Sequence, residues 1–222
     1  MSKTSRSAGQ PGSPVSRAHV GLTEEQIVTA ALEVLEGDGL DKLSLRAVAG
    51  RLGVRVNAVA WHVKDKAGLL TAVADAMMAD CLPARLPRDP DERVRRLLES
   101  FRAALRSRRD GARLALAGFS LARPHALAYA EAFNAALRST GRSPNEVAWT
   151  AWTLIHFVVG LVNEEQTSPD RTPGTEAAAA DPALFPSLAE AITHLTKESF
   201  DGRFTYGVDL ILTGRSAVRT TD

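Results

Sequence analysis

Apolar residues recur along this chain at helical spacing and almost never alternate. Ile27, Ala30, Ala31, Val34 and Leu35 follow the i, i+3, i+4, i+7, i+8 rule of one buried helix face. Thr23 and Gln26 form a capping box ahead of them, and Gly37-Asp38-Gly39 ends the helix. Ser44 caps a second, short helix that carries Leu45, Val48, Ala49 and Leu52 and stops at Gly53. A third short helix is predicted from about Val56 to Val63, with Val59 and Val63 facing inward. Two short helices joined by a tight glycine-containing turn make a helix-turn-helix pattern.

A fourth helix starts near Asp65 and packs Leu69, Leu70, Val73, Ala74 and Met77. Pro83 and Pro87 make Leu82–Arg88 a connection. Asp89-Pro90-Asp91-Glu92 then starts a helix with Val94, Leu97, Leu98, Phe101 and Leu105 on its buried face. A short helix is expected at Ala112–Ala117, and Pro124 opens another that runs to about Thr140. Ser143-Pro144-Asn145-Glu146 caps the most apolar stretch of the chain, Val147–Val162, where apolar residues surround the helix on every side. Such a helix needs cover beyond its own small core, which predicts a partner chain. The Pro-, Gly-, Thr- and Ala-rich segment Thr167–Pro182 reads as a mobile loop, with two last helices near Pro186–Thr196 and Gly202–Gly214. The predicted fold class is all-α: a helix-turn-helix head at 21–66 and a helical body at 67–216. A basic Ser/Gly/Pro-rich arm at 1–20 precedes them and is expected to be disordered.

Composition adds little except in its distribution. Apolar residues make up 45% and charged residues 24%, ordinary for a globular protein, and the formal net charge is +1. Between Lys42 and Lys66, however, six basic residues stand against the single acid Asp65, which leaves the remainder mildly acidic. A basic patch confined to one segment suits phosphate contact, although a solvated helix face has the same composition. Cys81 is the only cysteine, so no intramolecular disulfide can form, and a reducing cytoplasm is the expected compartment. No apolar run reaches the ~18 residues that a bilayer demands, so no membrane association is expected. The first 20 residues lack the apolar region of a secretory signal. Metal-spaced His/Cys/carboxylate clusters, a Gly-rich phosphate loop and a nucleophile elbow are all missing from the sequence, which argues against an enzyme and against a resident cofactor.

The run LRAVAGRLGVRVNAVAWHVKDKAGLL after Ser44 resembles the DNA-binding head of the TetR family, and the resemblance narrows to its tetracycline-repressor branch. Trp61-His62-Val63-Lys64-Asp65-Lys66 carries it, with Arg109-Asp110-Gly111-Ala112 and with His156-Phe157, Gly160 and Glu164-Glu165-Gln166. It implies a dimeric repressor that binds a palindromic operator in double-stranded DNA. The third helix would enter the major groove. By position, the base readers would be Arg55, Val56, Asn57 and Ala58, helped by Arg46, whose planar fork suits guanine O6 and N7. His62, Lys64 and Lys66 match positions that hold phosphates, which set register rather than sequence. Ala60 stands where the family usually has a phosphate-contacting tyrosine. Trp61 is expected to pack the head against the fourth helix.

The body departs from the branch where its effector should sit. Ala115 occupies the place of a histidine that ligates drug-bound magnesium, and Leu82 and Leu97 replace polar residues that bind the drug. Phe101 is kept, while Glu164 matches an acid that holds metal-bound water. These changes predict an apolar or aromatic small-molecule effector and no bound metal. The expected pocket comprises Leu82, Leu97, Phe101, Ala115, Trp152, Ile155 and Glu164. Without a metal, Glu164 reads rather as a helix-surface or interface charge, and His156 as a core residue rather than a ligand contact. Phe119–Ala122 looks like an insertion that alters the ligand entrance. Residues 147–162 and 204–212 are the expected homodimer contact. The competing reading is a ligand- or partner-binding regulator whose head no longer reads DNA.

Overall fold

A computed structural model describes residues 21–167, 182–195 and 199–214. The expected arm at 1–20 and nearly all of the expected loop at 167–182 lie outside the described residues. The described residues form helices and short 3-10 turns, with no strand among them. In chain order the helices are α1 (Glu24–Asp38), α2 (Leu45–Leu52), α3 (Val56–Val63), α4 (Lys66–Met78) and α5 (Pro90–Arg106). They continue as α6 (Gly111–Gly118), α7 (Pro124–Ser139), α8 (Pro144–Thr167), α9 (Pro186–Leu195) and α10 (Phe200–Thr213).

The predicted caps close these helices. Thr23 Oγ1 accepts the Gln26 N–H at 3.2 Å while Gln26 accepts the Thr23 N–H at 3.0 Å. Ser44, Asp65 and Asp89 each accept the backbone N–H three residues on, at 3.2, 2.8 and 2.9 Å. Each such bond satisfies one of the orphan donors of a helix start. All five apolar residues expected on the inner face of α1 are buried. Single 3-10 turns at Leu40–Lys42 and Ala79–Cys81 are additions that periodicity did not reveal, being too short to carry a pattern.

α1, α2 and α3 pack together as the head. α4 leaves the head and enters the body, where it lies against α6 and α7. Behind it, α5 packs on α7 and α8, and α8 on α10. The α8–α10 contact is close: a Cβ at Gly207 would stand 2.2 Å from the tip of the Phe157 ring. Gly207→Ala is expected to cost about 1–2 kcal/mol, because the ring must move within a packed interface. Urea unfolding of the variant beside the natural chain measures this.

The all-round apolar helix resolves into two faces. Val147, Leu154, Val158, Val159, Leu161 and Val162 are buried within the chain. Trp149, at 65% exposure, and Trp152 face outward. On α10, Phe204, Val208 and Leu212 are buried, while Tyr206 and Leu210 are 70% and 58% exposed. No described helix is long and apolar enough to cross a membrane.

Candidate nucleic-acid interface and ligand cavity

The basic segment forms one outward surface at the end of the head. Arg46 on α2, Arg55 at the N-cap of α3, and Val56, Asn57, Lys64 and Lys66 are exposed, with Ala58 and His62 half-buried. Arg46, Arg55, Lys64 and Lys66 have no carboxylate partner among the described residues. The inward face of α3 is filled by Val59 and Val63, both buried. Trp61 corrects an expectation. It lies two residues from each of those valines, about 200° around the helix, and is 80% exposed, with His62 edge-on at 4.7 Å. It therefore belongs to the outer surface and does not pack the head on α4.

The connection from α3 to α4 is a tight γ-turn. Lys64 adopts φ 67 and ψ −67, and the Asp65 N–H donates to the Val63 carbonyl at 2.8 Å. A non-glycine residue in this conformation is strained and persists only where its surroundings hold it. Here the Val63 carbonyl is wedged against Gly68 in the first turn of α4, where a Cβ would stand 1.9 Å from its oxygen. The recognition surface and the start of α4 are thus joined without slack.

Two polar junctions tie α1 and α4 to the body. Asp110 Oδ2 accepts the Leu40 N–H at 2.9 Å across 70 positions of sequence. Arg113 bridges Asp110 and Asp41, and the Arg109 guanidinium donates to the Glu36 and Gly37 carbonyls at the end of α1. The Leu40 amide, and then Arg113, hold the Asp110 carboxyl below its ordinary range against the opposing effect of burial. A carboxyl depressed in the folded state stabilises above its unfolded value and loses that contribution as pH falls through the folded one. Protection of the Leu40 amide from hydrogen exchange is therefore expected to fall on acidification below the ordinary carboxylate range. In Asp110→Ala it should be low at every pH. On the other side of α4, buried Asp75 accepts the Ala126 N–H at 2.9 Å and meets His125 Nδ1 at 3.0 Å. Sequence reasoning missed Asp75, although a lone acid inside the apolar stripe of α4 was a visible signal.

A cavity of about 490 Å³ opens between α4, α5, α6, α7 and α8. Of the seven expected pocket residues, Phe101, Ala115, Trp152 and Ile155 line it, together with Met78, Tyr129, Phe133, Asn134 and His156. Phe119 and Leu121, in the segment that resembles an insertion, also line it. Three expected residues do not. Leu97 is fully buried, and its carbonyl takes the Tyr129 hydroxyl at 3.0 Å. Leu82 sits on the connection after the second 3-10 turn and is partly exposed. Glu164 lies on the outer face of α8, where Arg203 reaches it at 3.2 Å, in keeping with the surface-charge reading. His156, read as a core residue, is an exposed cavity residue stacked on Trp152 at 4.1 Å. Burial pushes the Tyr129 phenol well above its usual value and the Cys81 thiol up to about 12, so neither ionises near neutrality.

Comparison with known proteins ties the surface and the cavity together. Residues 27–73 match the model of the bacterial regulatory proteins, tetR family, and residues 83–219 that of the tetracyclin repressor-like C-terminal domain. The chain belongs to the TetR family. It is 34% identical to the tetracycline repressor protein class G of Vibrio anguillarum over 214 residues, covering 90% of this chain and 99% of that one. The class A repressor from transposon 1721 of Escherichia coli is also 34% identical, over 87% of this chain and 90% of the relative. Among solved structures, apo ActR from Streptomyces coelicolor superposes with a TM-score of 0.78 at 28% identity, covering 89% of this chain and 96% of ActR. ActR has also been solved in complex with actinorhodin. This TetR-family chain is accordingly a ligand-responsive transcriptional repressor with a helix-turn-helix DNA-binding head.

A magnesium–drug complex, as the tetracycline-repressor resemblance implies, does not fit the cavity. The Ala115 methyl group offers no donor where a metal-ligating histidine is expected, and Glu164 is engaged by Arg203 outside the cavity. Among the described residues no group of three His, Cys, Asp or Glu is placed to hold a metal ion.

Proposed function

We propose that this repressor binds a palindromic operator as a homodimer and is released by an uncharged apolar or aromatic effector, not by magnesium–tetracycline. The observation that carries the proposal is the pairing of an unpartnered cationic surface on α2 and α3 with an apolar cavity, joined by one helix. α4 begins at Lys66 beside that surface and ends at Met78 in the cavity wall. The head spans 21–66 and the ligand-binding and dimerising body 67–216, with the protein acting in the cytoplasm. Arg46, Arg55, Val56, Asn57 and Ala58 read base edges, while His62, Lys64 and Lys66 hold phosphates. The exposed apolar faces of α8 and α10, within 147–162 and 204–212, meet their copies in a four-helix arrangement. Ligand seated against Met78 moves α4, and the rigid γ-turn passes that movement to α3. The effector shifts the equilibrium only by its difference in affinity between the two states.

Footprinting of the region upstream of the chain's own coding sequence tests the proposal. Two protected half-sites are expected, centred about 10–10.5 base pairs or a multiple of that apart. Arg46→Ala is expected to relax discrimination at one base position by about 1–3 kcal/mol. A single protected site without symmetry would contradict the dimer.

A further inference from the structure

We propose that the cavity selects a planar aromatic ligand bearing a phenolic hydroxyl, whose O–H donates to His156 Nε2. The inference rests on the reading of this cavity as the effector site and names the chemistry that the site prefers.

The shape of the walls favours a flat ring system. Phe101, Tyr129 and Phe133 stand in a row, with centroids 5.5 and 5.9 Å apart and planes inclined by 30° and 15°. Across the cavity, α8 contributes Ala148 and Ala151, whose small side chains leave a slot, and the Trp152–His156 stack closes one end. An aromatic ligand gains from offset or edge contact with such rings beyond its buried area. Among the described residues the lining contains no Asp, Glu, Lys or Arg, so a ligand carboxylate or ammonium would be desolvated there without a counter-charge.

The direction of the hydrogen bonds sets the polar group. His156 Nδ1 lies 2.8 Å from the Trp152 carbonyl, and a carbonyl only accepts, so Nδ1 carries the proton. In the neutral ring this leaves Nε2 as an acceptor. Asn134 Nδ2 donates to the Ala130 carbonyl at 2.7 Å, which leaves Oδ1 as a second acceptor beside one remaining N–H. The Tyr129 hydroxyl proton is committed to the Leu97 carbonyl. Two acceptors, His156 Nε2 and Asn134 Oδ1, are therefore left for a ligand beside two donors, the second Asn134 N–H and the Trp152 indole N–H. A ligand without a hydrogen-bond donor, such as a phenol's methyl ether, would desolvate Nε2 and return nothing, a loss that discriminates more strongly than the mean worth of a hydrogen bond.

Calorimetric titration of the full chain with 2-naphthol, 2-methoxynaphthalene and 2-naphthoate tests the proposal, with Ala115→Trp as the filled-cavity control. The expected order is 2-naphthol about tenfold tighter than its methyl ether, and 2-naphthoate weakest. In His156→Phe, 2-naphthol should fall to the affinity of the ether while the ether keeps its own. If ether and naphthol bind the natural chain equally, or naphthoate binds best, the phenol proposal is overturned while the cavity reading stands. The natural-chain comparison decides this even if His156→Phe does not fold. If none of the three binds, or Ala115→Trp fails to exclude them, the cavity reading itself fails and the phenol proposal with it.

Discussion

Replacing Arg102 by alanine is expected to destabilise the chain by about 3–5 kcal/mol, the cost of leaving one partner of a buried ion pair uncompensated. Arg102 is 8% exposed in its side chain and joins three helices. From α5 its guanidinium reaches Glu165 on α8 at 3.2 Å and Asp201 on α10 at 2.6 Å, and it stacks over the Phe204 ring at 4.9 Å. Asp201 is mostly exposed and can return to water, so the penalty falls chiefly on Glu165, only 18% exposed. Arg106 also touches Glu165, at 3.0 Å, and tempers the loss without removing it. Removing both charges together, as Arg102→Leu with Glu165→Leu, is expected to restore part of the stability, because neither group is then left buried alone. Urea unfolding of the single and double variants measures the coupling. Losses in Arg102→Leu and Glu165→Leu that simply add up to the loss in the double variant would show that the pair contributes no specific interaction. Because this cluster holds α10 in place, the single variant should also weaken the self-association proposed for α8 and α10.

Asp75→Ala is expected to cost about 2–3 kcal/mol, since a buried donor left unsatisfied carries its full desolvation penalty. The donor is the Ala126 N–H in the first turn of α7, which has no helical carbonyl behind it. Asp75→Asn keeps an acceptor for that N–H and should lose less than half as much. The functional consequence is more specific. α4 is held to α7 at Asp75, to α6 along its length and to the head at Gly68, so it meets the recognition helix at one end and supplies cavity wall at the other. Loosening the Asp75 contact should leave the DNA surface intact and reduce what a bound ligand can do to it. The comparison is between operator affinity without ligand, expected to stay within about twofold, and the ligand-induced drop in affinity, expected to shrink. A variant that lost operator affinity outright would place Asp75 in the folding of the head instead.

Local rules written in the chain make the helices legible from sequence. Thr23–Gln26, Ser44, Asp65 and Asp89 announce helix starts because a capping side chain lies within three residues of the N–H it satisfies. Gly53 announces a stop because α2 ends in a left-handed residue there. The contacts that join head to body and α4 to α7 were not legible, because they span distances on which periodicity is silent. Asp110 meets Leu40, and Asp75 meets Ala126, across 70 and 51 positions. Trp61 shows a different failure. The spacing of Val59 and Val63 already placed it on the opposite face, but its size suggested a packing role that this face does not offer. In the cavity, substitution logic at Ala115 and Phe101 led to residues that line it. The same logic at Leu82, Leu97 and Glu164 led to residues beside it, because alignment with a branch fixes position along a helix but not the rotation or closure of this chain's own walls.

The claim on which the rest depends is that the outward side chains of α2 and α3 form a surface for duplex DNA. Fluorescence anisotropy of a labelled duplex from the chain's own upstream region, titrated at stepped salt concentrations, addresses it most directly. The account predicts a logarithm of affinity that falls linearly with the logarithm of salt, with a shallower slope in Lys64→Ala and Lys66→Ala, since each phosphate contact contributes about 0.9 to the slope. Affinity for duplex DNA that is undetectable, or that stays flat across the salt series, would contradict it.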